Sequence, residues 1–324
     1  DKEIYGIRKY FKTSLDLIQK YNINNVIISS PPHSMQLIGI KLKKQLGERI
    51  NLIIDYRDSW NTTKIFRKNI WILNYISKKM EYLVLKNADS ISIVSIAMKN
   101  KILNMFPNLE LNNKFNIIMN GFDKILLSKI DFGNNTNNKI MNIGYFGSIS
   151  DEKSSYRNIT SFLNILLLFK NPIILNLYGN INISPKWPLI LKEKIKINNN
   201  VSHKKALTLM KQMDILMLLH SESDGADEVL TGKLFEYISI GKPILSIGPN
   251  NFGASLFIQK ENLGYTMNIN NKKEMLNKLN IIYKDWTQNK MIKYNLDNIQ
   301  QFSRQAQFNS FLKLLREEDN NVCY

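Results

Sequence analysis

The chain has 324 residues, of which 44% are apolar and 10% aromatic, enough to bury two hydrophobic cores of ordinary size. The single cysteine, Cys323, excludes a disulfide framework and indicates a reducing, cytoplasmic compartment. The longest apolar runs are too short to cross a bilayer. A formal net charge of +17 can attract nucleic acid, anionic lipid or an anionic substrate, but the excess of asparagine, isoleucine and lysine is typical of a general compositional bias. Nucleic acid is not expected, because lysine is spread along the chain and no nucleic-acid-binding motif is present.

Strands and helices alternate along the first part of the chain. Short apolar runs predict strands at residues 25–30, 51–55, 90–94 and 115–119. Amphipathic stretches predict helices at residues 8–20, 34–46, 66–86 and 96–106. Successive strand–helix–strand units form parallel sheets, so we expect a Rossmann-like domain at residues 1–128.

A polar, asparagine-rich run at residues 129–139 is typical of a linker between domains. After it, strands are predicted at residues 140–146, 173–178, 214–219 and 244–247. Helices are predicted between them at residues 158–169, 204–213 and 231–240. This pattern predicts a second doubly wound domain at residues 140–298, followed by a last helix within residues 299–324.

The helix at residues 231–240 has the clearest boundaries. Thr231 is a candidate N-cap, and Gly241 suits the left-handed position that follows a helix. Lys233 and Glu236 lie on one face of this helix, because residues three apart are neighbours on a helix surface. That face is available to bind a ligand.

The start of this helix is suited to binding a diphosphate. Unpaired N–H groups and the helix dipole attract an anion there, and Lys233 adds a full positive charge. Glu236 can accept hydrogen bonds from both hydroxyls of a ribose. Glu228, eight residues earlier on the preceding loop, would face a sugar on the other side of the diphosphate. The alternative is a surface ion pair between Lys233 and Glu236, with Glu228 unrelated to it.

The segment EVLTGKLFEYISIGKPILSIGP, which starts at Glu228, resembles the donor-site signature of glycosyltransferase family 4. Upstream, VIISSPPHS, LIIDYRDSW, ADSISIVS, IIMNGFD and IGYFGSIS are similar to successive landmarks of that family, in the same order. The resemblance implies the α/β GT-B fold: two Rossmann-like, doubly wound domains facing a cleft, with the last helix crossing back to the first domain. It also implies sugar transfer from a nucleotide-diphosphate sugar, a UDP-sugar in preference to a GDP-sugar, with retention of anomeric configuration.

The resemblance further implies a set of site residues. The candidate catalytic residues are Glu228, Lys233, Arg57 and Asp58. The candidate donor-binding residues are Gly147, Ser148, Arg157, Thr231, Gly232, Lys233, Leu234 and Glu236. The candidate acceptor-side residues are Ser30, Pro32 and His33. Neither a metal nor a cofactor is expected, because the three histidines have no metal-ligand spacing.

Two of these assignments have alternatives. Many relatives carry a histidine near the position of Arg57, and this chain departs from that pattern. Arg57 and Asp58 could instead form an ion pair that braces the loop beside Trp60. Either Lys153 or Arg157 could face the diphosphate, and we favour Arg157.

The resemblance leaves two functions open. The first is a retaining glycosyltransferase that acts on a glycan or lipid-linked acceptor in the synthesis of bacterial surface polysaccharide, such as lipopolysaccharide or capsule. The alternative is a nucleotide-sugar-binding scaffold subunit without transfer activity. Because the family normally has further strands before the one at residues 25–30, we expect the first domain to be truncated.

Two helices suggest a membrane surface as a further partner. The helices at residues 8–20 and 66–86 mix lysine and arginine with aromatic and aliphatic residues, as helices that lie on anionic lipid do. This composition is compatible with a peripheral position on the inner face of the cytoplasmic membrane. The alternative is that both are ordinary packing helices with solvated lysines.

Overall fold

The structure divides into two compact units. The computed structural model describes residues 2–63, 70–124, 139–153, 155–221, 224–295 and 297–316. The first unit contains the chain up to Met119 and from Gln305 onward, and the second contains Asn120 to Arg304. Most of the predicted linker, residues 129–138, and Cys323 lie outside the described residues.

Residues 120–124 belong to the second unit, whereas the sequence pattern assigned them to the first. The N–H of Phe122 donates to the carbonyl oxygen of Phe302 at 3.1 Å, and the Phe122 carbonyl accepts from the N–H of Arg304 at 2.9 Å. Gly121 lies so close to the same segment that an added Cβ would be 2.7 Å from the Arg304 nitrogen. This pairing joins segments far apart in the chain, so a local pattern does not reveal it.

The first unit contains a four-stranded parallel sheet. Its strands are β1 (Asn25–Ser30), β2 (Asn51–Tyr56), β3 (Ser90–Ile93) and β4 (Phe115–Ile117), paired in that order. Its helices are α1 (Ile7–Lys20), α2 (Leu37–Leu46), α3 (Trp71–Asn87) and α4 (Ile96–Met105). Strand β2 is buried at every residue, as expected for a central strand of a parallel sheet covered on both faces.

Two helices of the first unit differ from their predicted bounds. The helix predicted at residues 34–46 begins with a 3-10 turn, His33–Gln36, and becomes α-helical only at Leu37. The helix predicted at residues 66–86 begins at Trp71, and residues 64–69 lie outside the described part of the chain.

The second unit contains a six-stranded parallel sheet. Its strands are β5 (Met141–Phe146), β7 (Ile173–Tyr178), β9 (Ile195–Asn198), β10 (Ile215–Leu219), β11 (Ile244–Gly248) and β12 (Gly264–Asn268). A short two-stranded sheet pairs β6 (Ile149–Ser150) with β8 (Ile181–Asn182). The helices are α5 (Thr160–Leu168), α6 (Leu189–Glu193), α7 (His203–Gln212), α8 (Gly232–Ile240), α9 (Gly253–Lys260) and α10 (Lys272–Thr287).

The order of the large sheet is β12-β11-β10-β5-β7-β9. The chain therefore builds outward from β5 to one edge and then returns to build outward from β10 to the other. This is the strand order of a dinucleotide-binding fold, and ligands bind such sheets outside the carboxyl ends of the strands where the order reverses. In this unit the reversal lies between β5 and β10.

Helix α8 ends as predicted. Gly241 follows it with φ of 75° in the left-handed region. The hydroxyl of Tyr294 lies 3.0 Å from the carbonyl oxygen of Lys242 and 3.1 Å from that of Ile238. The last carbonyl groups of a helix have no partner within the helix, so Tyr294 helps to satisfy them and anchors the helix that carries the predicted donor residues.

The C-terminal segment contains two short helices, not the single helix predicted. A 3-10 helix, Asn298–Phe302, is followed by an extended residue, Ser303, and then by α11, Arg304–Leu312. In the first unit the Gln307 side chain accepts from the N–H of Met119 at 2.7 Å. Among the residues that the structure describes, no helix is both long and apolar enough to cross a membrane.

Candidate functional site

Gly147, the residue that follows β5, lies at the strand-order reversal. Its φ is 130°, a conformation that favours glycine, and its N–H donates to the carbonyl oxygen of Tyr178 at 2.7 Å. A Cβ added at Gly147 would collide with the Lys233 ammonium. The neighbouring Ser148 is exposed, and its carbonyl oxygen accepts a hydrogen bond from the Tyr145 hydroxyl at 2.7 Å. The glycine thus leaves space that the lysine partly fills.

Lys233 is held over the face of an aromatic ring. Its Nζ lies 4.5 Å from the centroid of the Tyr145 ring, within range of a cation–π interaction. Burial, followed by the positive charge of Arg157, lowers the pKa of Lys233 to about 7, against the smaller opposing effect of Glu236. Among the described residues, no carboxylate forms an ion pair with Lys233.

Arg157 contributes a second positive charge to the same place. Its guanidinium lies 5.4 Å from the centroid of the Tyr156 ring. It lowers the pKa of Lys233 and, after the larger effect of burial, that of His220. Lys153 is exposed and makes no hydrogen bond or ion pair with the described part of the chain. Of the two cations predicted for this loop, Arg157 is therefore the one that acts on Lys233.

The start of α8 is open. Thr231 occupies the N-cap position with extended backbone, but its side chain makes no capping hydrogen bond, which corrects the sequence-based expectation. Gly232 is exposed, and a Cβ added there would meet nothing within 4 Å. The first N–H groups of a helix have no partner within it, so this end of α8 can accept a ligand.

Leu234 does not contribute a side chain to this opening. It is fully buried, and its N–H already donates to the Thr231 carbonyl oxygen at 3.0 Å. The residue therefore stabilises the first turn of α8. A contact between Leu234 and a donor stays a prediction.

The two glutamates occupy different environments. Glu228 ends the 3-10 turn Ala226–Glu228 and is only 2% exposed. Glu236 lies on α8 with its side chain 34% exposed, and its Oε1 is 2.9 Å from Nε2 of His203. The surface ion pair between Lys233 and Glu236, considered as an alternative, is therefore replaced by a pair between His203 and Glu236.

Arg57, in the first unit, pairs with a different aspartate from the one expected. Its Nε donates to Oδ2 of Asp55 at 2.9 Å, and the same oxygen accepts from the Ser29 hydroxyl at 2.7 Å. Arg57 also donates to the carbonyl oxygen of Ile118 at 3.2 Å. The side chain of Asp58 is exposed. The alternative ion pair between Arg57 and Asp58 is not formed: both residues lie in the bend that follows β2, and Arg57 pairs with Asp55.

The predicted acceptor-side residues are mostly buried. His33 stacks on Trp60 with a centroid distance of 5.3 Å, and its Nε2 lies 3.1 Å from the carbonyl oxygen of Asp58. Burial lowers the pKa of His33. The Ser30 hydroxyl is buried and accepts from the Gln36 side chain at 2.7 Å, and Pro32 is half-buried. These contacts hold the loop after β1 against the loop after β2.

Sequence reasoning missed one residue at the strand-order reversal. His220 follows β10, is buried, and has its Nδ1 2.7 Å from the carbonyl oxygen of Ser221. Its ring lies 5.0 Å from that of Phe252, and burial lowers its pKa. Its place directly after a buried strand was the signal that could have identified it.

The arrangement is suited to binding an anion with two or more negative oxygens. Lys233, Arg157 and the open start of α8 lie at the strand-order reversal, and neither cation is neutralised by a carboxylate among the described residues. Within the same described ranges, no group of three or more His, Cys, Asp or Glu side chains could hold a metal ion.

Solved structures with the same fold are glycosyltransferases. The sucrose-phosphate synthase of Thermosynechococcus elongatus matches with a TM-score of 0.66 and 12% identity over 97% of this chain and 78% of its own. The lipopolysaccharide outer core galactosyltransferase WaaB matches with a TM-score of 0.66 and 14% identity over 95% and 79%. Anabaena HepE in complex with UDP matches with a TM-score of 0.65 and 14% identity over 95% and 80%.

The chain has the GT-B fold. High coverage of both chains, together with two units built on parallel sheets, supports this assignment. No protein-family model matches the chain, and no curated protein is significantly similar to it in sequence. At these identities the likeness establishes the fold, and activity has to be argued from the site.

The low pKa of Lys233 predicts a pH-dependent effect on stability. The unfolded lysine has a pKa of about 10.5, so between pH 7 and 10.5 the unfolded chain binds more protons at this residue than the folded chain does. The free energy of unfolding of the wild type minus that of K233M should therefore rise from pH 7 to pH 10 in urea denaturation series. K153M, which removes an exposed lysine, is the control. If the difference in unfolding free energy between the wild type and K233M does not change with pH, the pKa of Lys233 is not lowered by burial.

Proposed function

We propose that this protein is a retaining glycosyltransferase of family 4 that uses a nucleotide-diphosphate sugar. The observation that carries the proposal is the pair of cations, Lys233 and Arg157, beside the open start of α8 and the Gly147 turn. A half-buried ammonium with a lowered pKa and no carboxylate partner among the described residues is costly unless an anion binds there. A diphosphate would supply the negative charge that this site lacks.

The diphosphate would lie between Lys233, Arg157 and the first N–H groups of α8. There these groups would stabilise the negative charge that grows on the leaving nucleotide as the bond to the sugar breaks. Gly147 and Ser148 would approach the phosphates with backbone atoms, because only a glycine leaves room beside the lysine. A retaining reaction in which the acceptor attacks on the same face as the leaving group needs this stabilisation and accurate positioning.

Glu236 and Glu228 would bind opposite ends of the donor. Glu236 is partly exposed and can accept hydrogen bonds from ribose hydroxyls. Glu228 is buried in the turn before α8, where a carboxylate meets a hydroxylated ligand with little competition from water. We assign Glu228 to the transferred sugar.

We assign acceptor binding to the first unit. Arg57, anchored by Asp55, and the exposed Asp58 follow β2, and the loop that carries Ser30, Pro32 and His33 follows β1. The carboxyl ends of parallel strands are where such sheets bind ligands. We propose a catalytic role for Arg57 and Asp58.

Uracil is the base that we propose for the donor nucleotide. HepE has been solved with UDP and with UDP-glucose, and WaaB is a lipopolysaccharide galactosyltransferase. By analogy we propose a UDP-sugar donor, a glycan or lipid-linked acceptor, and a role in bacterial surface polysaccharide synthesis. The second candidate, a scaffold that binds the nucleotide sugar without transferring it, uses the same donor residues and differs only in turnover.

A membrane-surface position is supported by the start of α3. Its first turns expose Trp71 by 77% and Tyr75 by 64%, and Ile72 and Ile76 are exposed beside them. Lys78 and Lys79 follow on the next turn and are also exposed. Exposed aromatic and aliphatic side chains flanked by lysines suit the interface of an anionic membrane. We propose that this surface holds the enzyme on the inner face of the cytoplasmic membrane, near a lipid-linked acceptor.

The two glutamates should be distinguishable by ligand. We expect E236A to weaken UDP binding by about 10 to 150-fold, the loss of a charge-assisted hydrogen bond of about 1.5 to 3 kcal/mol. E228A should leave UDP binding nearly unchanged and weaken binding of the intact UDP-sugar. Calorimetry measures both, with E193A, which changes an exposed glutamate at the end of α6, as the control. Unchanged affinity in E236A would remove that residue from the site, and equal losses for both ligands in E228A would contradict its assignment to the sugar.

Transfer should preserve the anomeric configuration of the donor. The test incubates the full chain with nucleotide sugars and glycan or lipid-linked acceptors and follows the first product by NMR. A product with the donor configuration is expected. An inverted product would overturn the family assignment. Donor binding without transfer to any acceptor would favour the scaffold.

Vesicle sedimentation tests the membrane surface. The chain should sediment with anionic vesicles at low salt and be released at high salt, because exposed charges are screened over about 10 Å at 0.1 M. W71S and the double variant K78Q/K79Q should each reduce sedimentation. The matched control, K272Q/K273Q, removes two exposed lysines from α10 and should have little effect. Equal sedimentation with neutral vesicles, or none with anionic ones, would contradict the proposal.

A further inference from the structure

His203 and Glu236 form a contact between two helices. His203 is the first residue of α7, and its Nε2 lies 2.9 Å from Oε1 of Glu236 on α8. Further along both helices, the Lys211 ammonium donates to the carbonyl oxygen of Ile240 at 3.0 Å. The two helices are therefore joined at two points. The side chain of Glu236 is thus restrained by a residue of another helix.

A carboxylate restrained in this way is preorganised to bind a ligand. A free glutamate samples many rotamers, and ordering it on binding costs free energy. His203 restrains Oε1, and a carboxylate still has lone pairs on both oxygens when one of them accepts a single hydrogen bond. Two hydroxyl groups on adjacent carbons could donate to those lone pairs at the same time.

We propose that His203 is a positioning residue for recognition of the ribose diol. It donates its Nε2–H to Glu236 and fixes the carboxylate in the orientation that accepts the 2′- and 3′-hydroxyls of the nucleotide. This inference rests on the proposed function, in which Glu236 binds the ribose. It adds a residue outside the signature helix, and it makes the orientation of Glu236 depend on α7.

The removal of His203 should disturb the fold little. Its side chain is 54% exposed, so its removal leaves no cavity. The start of α7 is capped separately, because the Ser202 hydroxyl accepts from the N–H of Lys205 at 3.4 Å. Its exposed neighbour Lys204 offers a matched control on the same turn.

The experiment is a double-mutant cycle read with two nucleotides. UDP and 2′-deoxy-UDP are titrated into the full-length wild type, H203A, H203Q, K204A, E236A and the double variant H203A/E236A. H203A should weaken UDP about 3 to 10-fold, the cost of ordering one or two rotatable groups, and should weaken 2′-deoxy-UDP less. H203Q, which can still donate to Glu236, should recover part of the loss. K204A should bind as the wild type does.

The cycle separates two failures. If E236A binds UDP as well as the wild type does, Glu236 does not bind the ribose, and both the proposed role of that residue and this inference fail. If E236A weakens UDP but H203A does not, only the inference is overturned. The same conclusion follows if H203A costs as much in the E236A background as in the wild type, because a positioning residue acts only through the side chain it positions.

Discussion

The second unit is organised by the reversal of strand order between β5 and β10. All six strands are parallel, so their carboxyl ends lie along one edge, and the chain diverges to opposite sides only at this point. Backbone close approach maintains the geometry there: a Cβ added at Gly179 would lie 2.5 Å from the carbonyl oxygen of Gly147. With Gly147 held in this way, the adjoining space is open to Lys233. Gly147 and Gly179 therefore create the space at this site that the charged side chain of Lys233 uses.

The charge at this place opposes folding. Lys233 loses water on burial and faces a second cation, and both effects lower its pKa. Among the described residues, Glu236, one turn away on α8, opposes these effects only in part and forms no ion pair with Lys233. Its carboxylate is instead engaged by His203. The free protein therefore lacks an ion pair between Lys233 and Glu236 that would stabilise it. Functional sites give up local stability for binding in the same way.

Strands that are buried along most of their length could be predicted from the sequence. Strand β10 is an unbroken apolar run and β7 is interrupted only by Asn176, and the predicted bounds of both agree with the structure to within a residue. The edge strands β9 and β12 were missed. Their sequences, IKIN and GYTMN, are half polar because one side of an edge strand faces solvent. Helix α10 was also missed, and its polar face contains most of its residues.

The candidate site was predictable only in part, for a similar reason. The start of α8 and the position of Lys233 follow from local spacing. Thr231 takes the predicted N-cap position, but its side chain makes no capping hydrogen bond, which local preference does not anticipate. Arg57 lies in the bend after β2 and pairs with Asp55 on that strand, whereas adjacency suggested Asp58. The contact between His203 and Glu236 joins residues on separate helices, so only the packing of α7 against α8 reveals it.

The spacing of the two glutamates identifies them as candidate site residues but does not show how the protein holds each carboxylate. Glu228 and Glu236 are eight residues apart, yet one is buried in a 3-10 turn and the other is half-exposed on a helix. A buried carboxylate is held in one orientation by the residues packed around it. An exposed carboxylate needs a separate restraint to hold a single orientation. The turn supplies that restraint for Glu228. For Glu236 it has to come from a neighbouring side chain, and His203 is the residue in position to provide it.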